Sequence, residues 1–121
     1  MNEYKTYSVA LNKCVFDTIK MRDNFNDEHK EVLDKSLINR MYYALYNRIV
    51  AELSEVQNTT ANKHQQIYNI LIATSNASCV QINPFKFQDC HRFKNEGKKK
   101  HYRYSFTALQ IITAYCWTTL Y

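Results

Sequence analysis

The chain has 121 residues, a formal net charge of +5 and a sequence pI near 9.0. This length suits one domain with a single hydrophobic core. The apolar content of 45% argues against disorder, and one glycine and one proline are too few turn residues for a fold of many strands. The positive charge fits an anionic partner without establishing one.

Composition also bears on the compartment and on metal binding. No apolar run reaches the length of a membrane span, and residues 1–20 lack the apolar core of a signal peptide. We therefore expect a soluble, cytoplasmic protein without a membrane partner. The cysteines, at positions 14, 79, 90 and 116, form no CxxC pair and are expected to be reduced. A metal site built from Cys79, Cys90, His91 and His101 matches no common zinc pattern, and we expect neither a metal nor a cofactor.

The first half of the chain predicts two helices. The first covers residues 7–24, and Val15 and Phe16 widen its apolar stripe, which comprises Tyr7, Leu11, Cys14, Thr18 and Met21. The second covers residues 28–56 and is capped by Asn26 or Asp27. Its length suits the central helix of a small bundle.

The second half predicts three shorter helices. One covers residues 63–75, and the next begins at Pro84 with Asn83 as its N-cap. The last begins at Ser105 or Thr107. The predicted fold is an all-α, up-and-down bundle of about five helices that forms a single domain over residues 1–121.

The most informative stretch is residues 39–46, Asn-Arg-Met-Tyr-Tyr-Ala-Leu-Tyr, in the predicted central helix. Arg40, Tyr43 and Asn47 are three and four residues apart, so they lie on one side of that helix. The simplest interpretation is that the tyrosines are core or interface aromatics and that Arg40 is a surface charge.

This stretch resembles the Asn-Arg-x-Tyr-Tyr-Ala signature of HEPN-domain proteins, which are small all-helical bacterial and archaeal domains. Two further segments fall where that family would have them: His64 at the start of the third helix, and Lys100-His101-Tyr102 before the last helix. The resemblance covers residues 7–121 and implies a HEPN-like bundle.

The most charged segment is residues 94–103, Lys-Asn-Glu-Gly-Lys-Lys-Lys-His-Tyr-Arg. Cations beside tyrosines suit phosphates and unstacked bases, although a solvated lysine loop at a helix C-terminus has the same composition. The neighbouring lysines disfavour the protonated form of His101, which suits a general base near neutral pH. The predicted RNA-binding residues are Arg92, Lys98, Lys99, Lys100, Tyr102 and Arg103.

The resemblance also implies an activity. Catalytic HEPN proteins are metal-independent ribonucleases that carry an arginine, often followed by a polar residue, then four to six further residues and then a histidine. Two such motifs meet across a dimer cleft. In this sequence Lys94-Asn95 followed by His101 has that spacing, with a lysine that is a poorer bidentate phosphate ligand than arginine. The predicted catalytic residues are Arg40, Lys94, Asn95 and His101, and Tyr43 and Asn47 would support the cleft.

The sequence departs from the family pattern at one site and matches it elsewhere by coincidence. Asn47 stands where relatives with this tyrosine pair often carry histidine, and asparagine cannot act as a base. Arg22 and His29 form a literal match near the start of the chain, where the family does not usually place it, and we interpret it as coincidence. His64 is expected to be structural and bonded to a neighbouring helix.

Three functions remain open. The first, which we favour, is an active or degenerate HEPN-like ribonuclease of the toxin–antitoxin or phage-defence type, for which the resemblance implies a homodimer and a partner antitoxin. The second is a non-catalytic HEPN module that binds RNA or a nucleotide or serves as an assembly subunit. The third is a helical dimerisation protein whose charge is incidental.

Overall fold

The computed structural model describes residues 3–56, 63–74, 82–97 and 105–120. These residues form five α-helices and no strand: α1 Glu3–Lys20, α2 Asp27–Val56, α3 His64–Thr74, α4 Pro84–Gly97 and α5 Ser105–Leu120. A short 3-10 helix, Arg22–Asn24, follows α1. The predicted all-α fold of five helices is confirmed. No helix in the described ranges is both long and apolar enough to cross a membrane.

Side-chain caps determine where α2 and α4 begin. Asn26 Oδ1 accepts a hydrogen bond from the backbone N–H of His29 at 2.8 Å. Asn83 Oδ1 accepts bonds from the N–H groups of Phe85 and Lys86 at 2.9 and 3.2 Å. Pro84 follows as the first residue of α4, where a helix has no internal use for an N–H. The predicted N-cap of α4 is therefore confirmed, and Asn26 is the cap of α2.

The central helix of the bundle is α2, which packs against α1, α4 and α5. Its fully buried side chains include Leu37, Ile38, Met41, Leu45, Ile49 and Leu53. The other four helices add to the same core, among them Val15 from α1, Ile67 from α3, Phe87 from α4 and Ile112 from α5. Burial of an aliphatic or aromatic side chain contributes about 1.5–3 kcal/mol, so this shared core is what holds the helices together.

The face of α1 that packs on α2 agrees with the prediction in the middle of the helix and differs from it at the ends. Val15 is buried and Leu11 and Phe16 pack against the core, as predicted. Tyr7 and Met21, at either end of the predicted apolar stripe, are 56% and 55% exposed, whereas Ser8 is buried. Ser8 Oγ donates a hydrogen bond to the backbone oxygen of Ala44 at 2.6 Å. Because Ser8 and Ala44 are small, the two helices can approach closely there. The pattern of apolar residues cannot predict this contact, because it involves a polar side chain.

An ion pair fixes the turn between α1 and α2. Arg22 Nε and Nη2 donate to Asp34 Oδ1 and Oδ2 at 2.8 and 2.9 Å, and Asp34 is 1% exposed. The Arg22 guanidinium also lies 3.7 Å from the ring centroid of Phe106 on α5. Arg22 is thus engaged in holding the fold, which supports the interpretation that its spacing from His29 is coincidental.

The described cysteines carry free thiols. Cys90 and Cys116 are buried and Cys14 is exposed, while Cys79 lies outside the described residues. Burial raises the pKa of the Cys90 thiol to about 12, so it is protonated at neutral pH and packs as a small apolar group. Within the described ranges, no group of three or more His, Cys, Asp or Glu side chains is placed to hold a metal ion.

Candidate nucleic-acid interface

A lysine lies against two tyrosine rings where α4 meets α2. Lys94 is 9% exposed, and its Nζ is 4.9 Å from the ring centroid of Tyr42 and 5.3 Å from that of Tyr43. Among the described residues, no carboxylate forms an ion pair with Lys94. Burial of an ammonium group is costly, and the contacts with the rings offset only part of that cost.

Two predicted cleft residues lie near this lysine: Tyr43 lies beside it, and Asn47 lies one helical turn after Tyr43. Tyr43 is 38% exposed, and its ring meets the buried ring of Tyr42 edge to face, with centroids 5.1 Å apart. Asn47 is 9% exposed, and its Nδ2 donates to the backbone oxygen of Tyr43 at 2.7 Å. The structure therefore brings Tyr43 and Lys94 together, while the amide of Asn47 is bonded within its own helix.

Arg40 lies on the exposed side of α2, one turn before Tyr43. Three of the four arginines in the described ranges, Arg22, Arg48 and Arg92, form ion pairs with acidic side chains. Arg40 is the one that forms no such pair with another described residue. No carboxylate in the described part of the chain therefore compensates the charge of its guanidinium.

The exposed side of α4 carries Arg92 and Asn95. They border an open cavity of about 350 Å³, whose lining residues are Gln88, Asp89, His91, Arg92, Asn95 and Glu96. Arg92 Nη2 lies 3.8 Å from Asp89 Oδ1, and Nη1 lies 3.8 Å from Glu96 Oε1, so its charge is partly compensated. Among the described residues, carboxylates therefore compensate the charge of Lys94 less than the charge of Arg92, the other predicted phosphate ligand on α4.

A polar network centred on His64 connects three helices behind this face, and it confirms the prediction that His64 is bonded to a neighbouring helix. The Tyr42 hydroxyl lies 2.6 Å from His64 Nδ1, and His64 Nε2 lies 2.6 Å from Gln88 Oε1. Both bonds form together when His64 is neutral and carries its proton on Nε2: Tyr42 then donates to Nδ1, and Nε2–H donates to Gln88. Burial lowers the pKa of His64, the bond to Gln88 opposes this, and the charge of Lys94 lowers it further.

His91, like Gln88, is a residue of this site that sequence reasoning missed. Its ring stacks on that of His64, with centroids 3.6 Å apart and an interplanar angle of 15°, and its Nε2 lies 3.5 Å from Asn95 Nδ2. His91 thus lies between the polar network and the cavity. The one available signal was that Gln88 and His91 are three residues apart on a predicted helix, and nothing in their spacing linked them to residue 64.

The remaining predicted site residues fall outside the described residues. These are His101, the proposed base, and the predicted RNA ligands Lys98, Lys99, Lys100, Tyr102 and Arg103. Their roles stay predictions. The described part of the interface, on α2 and α4, consists of Arg40, Tyr43, Asn47, Arg92, Lys94 and Asn95.

This arrangement combines cations with an exposed aromatic ring. Lys94 and Arg40 have no acidic partner in the described part of the chain. Tyr43 lies beside Lys94 and one helical turn from Arg40. Cations that hold phosphates, together with aromatic rings that accept bases, are what single-stranded nucleic acids bind.

Comparisons with protein-family models, with curated proteins and with solved structures gave no match. The all-helical fold is common to many families. The resemblance to HEPN-domain proteins therefore rests on the sequence motifs alone.

Proposed function

We propose that this chain is an RNA-directed protein of the HEPN-like type and that it cleaves RNA without a metal ion. The observation that supports the proposal best is Lys94, a buried cation that has no carboxylate partner among the described residues and lies against Tyr43. A cation in this state favours the approach of an anion. The basic segment 98–103 follows directly in the sequence and supplies further charge for a phosphate backbone.

The proposed reaction uses the nucleophile that RNA itself provides. His101 accepts the proton of a 2′-hydroxyl, the 2′-oxygen bonds to the adjacent phosphorus, and the bond from phosphorus to the 5′-oxygen breaks. The proton held by His101 then passes to the leaving 5′-oxygen. Lys94 and Arg40 stabilise the charge on the phosphoryl oxygens, and Asn95 adds a hydrogen-bond donor. The products are a 2′,3′-cyclic phosphate and a 5′-hydroxyl end.

A non-catalytic module that binds RNA or a nucleotide, or serves as an assembly subunit, is the second candidate. One observation favours it: the Asn47 amide is bonded to the backbone of Tyr43, at the position where relatives often carry histidine. The proposal of a homodimer, of a partner antitoxin and of a toxin–antitoxin or phage-defence role rests on the family resemblance alone.

The test of the proposal is cleavage of total RNA and tRNA by the purified protein in EDTA. We expect the wild type to cleave, His101→Ala to lose the activity, and Arg40→Ala to lose about tenfold or more because a stabilising charge is removed. His29→Ala is the matched control, because His29 is an exposed histidine in the first turn of α2. That variant should cleave like the wild type.

Other results of the cleavage assay would contradict different parts of the proposal. Cleavage that survives His101→Ala would show that another group is the base. A folded wild type that binds RNA in a salt-dependent manner but does not cleave it would establish the binding module instead. If it neither cleaves nor binds these RNAs, the proposal of an RNA-directed protein is wrong.

A further inference from the structure

Three neighbouring tyrosines on α2 form a cluster that is partly exposed. The rings of Tyr42 and Tyr43 are 5.1 Å apart, those of Tyr43 and Tyr46 are 5.8 Å apart, and those of Tyr42 and Tyr46 are 6.1 Å apart. Tyr42 is 1% exposed, Tyr46 is half-buried, and Tyr43 is 38% exposed. The buried ring therefore holds the outer two in place, so little side-chain entropy remains to be lost when a ligand packs on them.

The cluster extends to α1 and is uncharged. Burial raises the pKa of the Tyr46 hydroxyl, and the neighbouring hydroxyls of Tyr43 and Tyr4 raise it further. Tyr4 on α1 is 47% exposed. The hydroxyl of Tyr46 is consequently neutral at physiological pH, and the rings present apolar faces with polar edges to solvent.

These rings lie near two cations that have no carboxylate partner among the described residues. Lys94 Nζ is 5.3 Å from the centroid of Tyr43, and Arg40 lies one turn before Tyr43 on the same helix. A protein partner would require acidic groups to match both cations. A nucleotide matches the whole surface, because its phosphate pairs with a cation and its base has an apolar face for a ring.

We propose that Tyr43, supported by Tyr46, stacks an unpaired base of single-stranded RNA while Lys94 binds the adjacent phosphate. This inference rests on the proposed function and specifies its substrate. In a duplex the base faces are stacked on one another and cannot reach a tyrosine ring. The RNA bound at this site is therefore a loop, a bulge or an unpaired end.

The first experiment measures binding of a short single-stranded oligoribonucleotide that contains 2-aminopurine, whose fluorescence is quenched when it stacks. We expect quenching by the wild type and by Tyr43→Phe, which keeps the ring. Tyr43→Leu keeps apolar bulk without an aromatic face and should bind between about fivefold and about a hundredfold more weakly, without quenching. Tyr7→Leu is the control, since Tyr7 is 56% exposed on α1 and is not a ring of the cluster.

The second experiment separates stacking from charge through the salt dependence of the same binding. Loss of one phosphate contact on a single strand lowers the slope of log affinity against log salt by about 0.7. We expect that change in Lys94→Gln. Tyr43→Leu should bind more weakly with an unchanged slope. Lys86→Gln, which removes an exposed lysine from the same helix, should change neither quantity.

The outcomes distinguish this inference from the function on which it rests. If the wild type binds single strands in a salt-dependent manner and Tyr43→Leu, shown to be folded by circular dichroism, binds them as tightly, the stacking site is wrong and an RNA-directed function stands. Equal affinity for a duplex of the same sequence would likewise overturn the stacking site. A wild type that binds no RNA would overturn both.

Discussion

At the scale of single residues, His64 is a histidine whose pKa the fold lowers. Burial lowers its pKa from the ordinary value of 6.5, the bond to Gln88 opposes the change, and Lys94 adds to it. The titratable groups that face it include Tyr42 from α2, Tyr68 from its own helix, and His91 and Lys94 from α4. Between the lowered pKa and 6.5, the unfolded chain binds more protons at this position than the folded chain does.

Because of this difference in proton binding, the free energy of unfolding decreases as the pH falls. The stability that neutral His64 contributes is fully present above pH 6.5 and is lost as the pH falls through the lowered pKa of the folded state. We expect the free energy of unfolding, measured by urea denaturation, to decrease over that window. His64→Gln, which does not titrate, should show a shallower decrease.

The exposed His29 provides the comparison for this prediction. His29→Gln should retain the pH dependence of the wild type, since no buried bond is altered. A slope in His64→Gln that equals that of the wild type would show that His64 does not cause the sensitivity to acid.

At the scale of elements, the ion pair between Arg22 and Asp34 fixes how α1 turns into α2. Arg22→Met removes the guanidinium and leaves Asp34, 1% exposed, without its partner. We expect a loss of about 3 kcal/mol in the free energy of unfolding, because an unpaired buried carboxylate is costly. Urea denaturation measures it. Arg48→Met, which removes a more exposed i,i+4 pair with Glu52, should cost less than about 1 kcal/mol.

A double variant tests whether the cost comes from the stranded charge. In Arg22→Met combined with Asp34→Leu, both charges are gone and apolar groups of similar size replace them. We expect this variant to be more stable than Arg22→Met alone. Effects that simply add would contradict the explanation and would point to lost packing of Arg22 on Phe106 instead.

The elements also show which features a sequence can predict. The start of α4 was predictable because Asn83 and Pro84 act on their own backbone within one turn. The burial of Ser8 on α1 was not predictable, because it depends on a contact with Ala44, which is 36 residues away. The same reason hid His91, whose position depends on stacking with a ring from another helix. A sequence therefore predicts features that depend on neighbouring residues, such as helix caps, better than it predicts contacts between residues that are far apart in the chain.

At the scale of the whole molecule, the charge of the chain is distributed unevenly. The sequence carries a net charge of +5, yet no residue of α5 is charged. Ile111 is an exposed apolar residue of this helix, while the partly exposed rings of Phe106 and Trp117 contact Arg22 and Phe16. Two copies of a cationic chain repel each other over most of their surfaces, and an uncharged face is where they can approach without that cost. A two-fold dimer uses one such face from each copy.

We therefore expect the predicted homodimer to form through α5, with sedimentation velocity as the measurement. Ile111→Lys places a charge on a side chain that is 48% exposed and should convert the dimer to a monomer, because two like charges would then face each other across the two-fold axis. Phe85→Lys adds the same charge at a residue 65% exposed on α4 and should leave the dimer intact. A monomeric wild type would rule out the homodimer, and an Ile111→Lys variant that stays dimeric would move the interface away from α5.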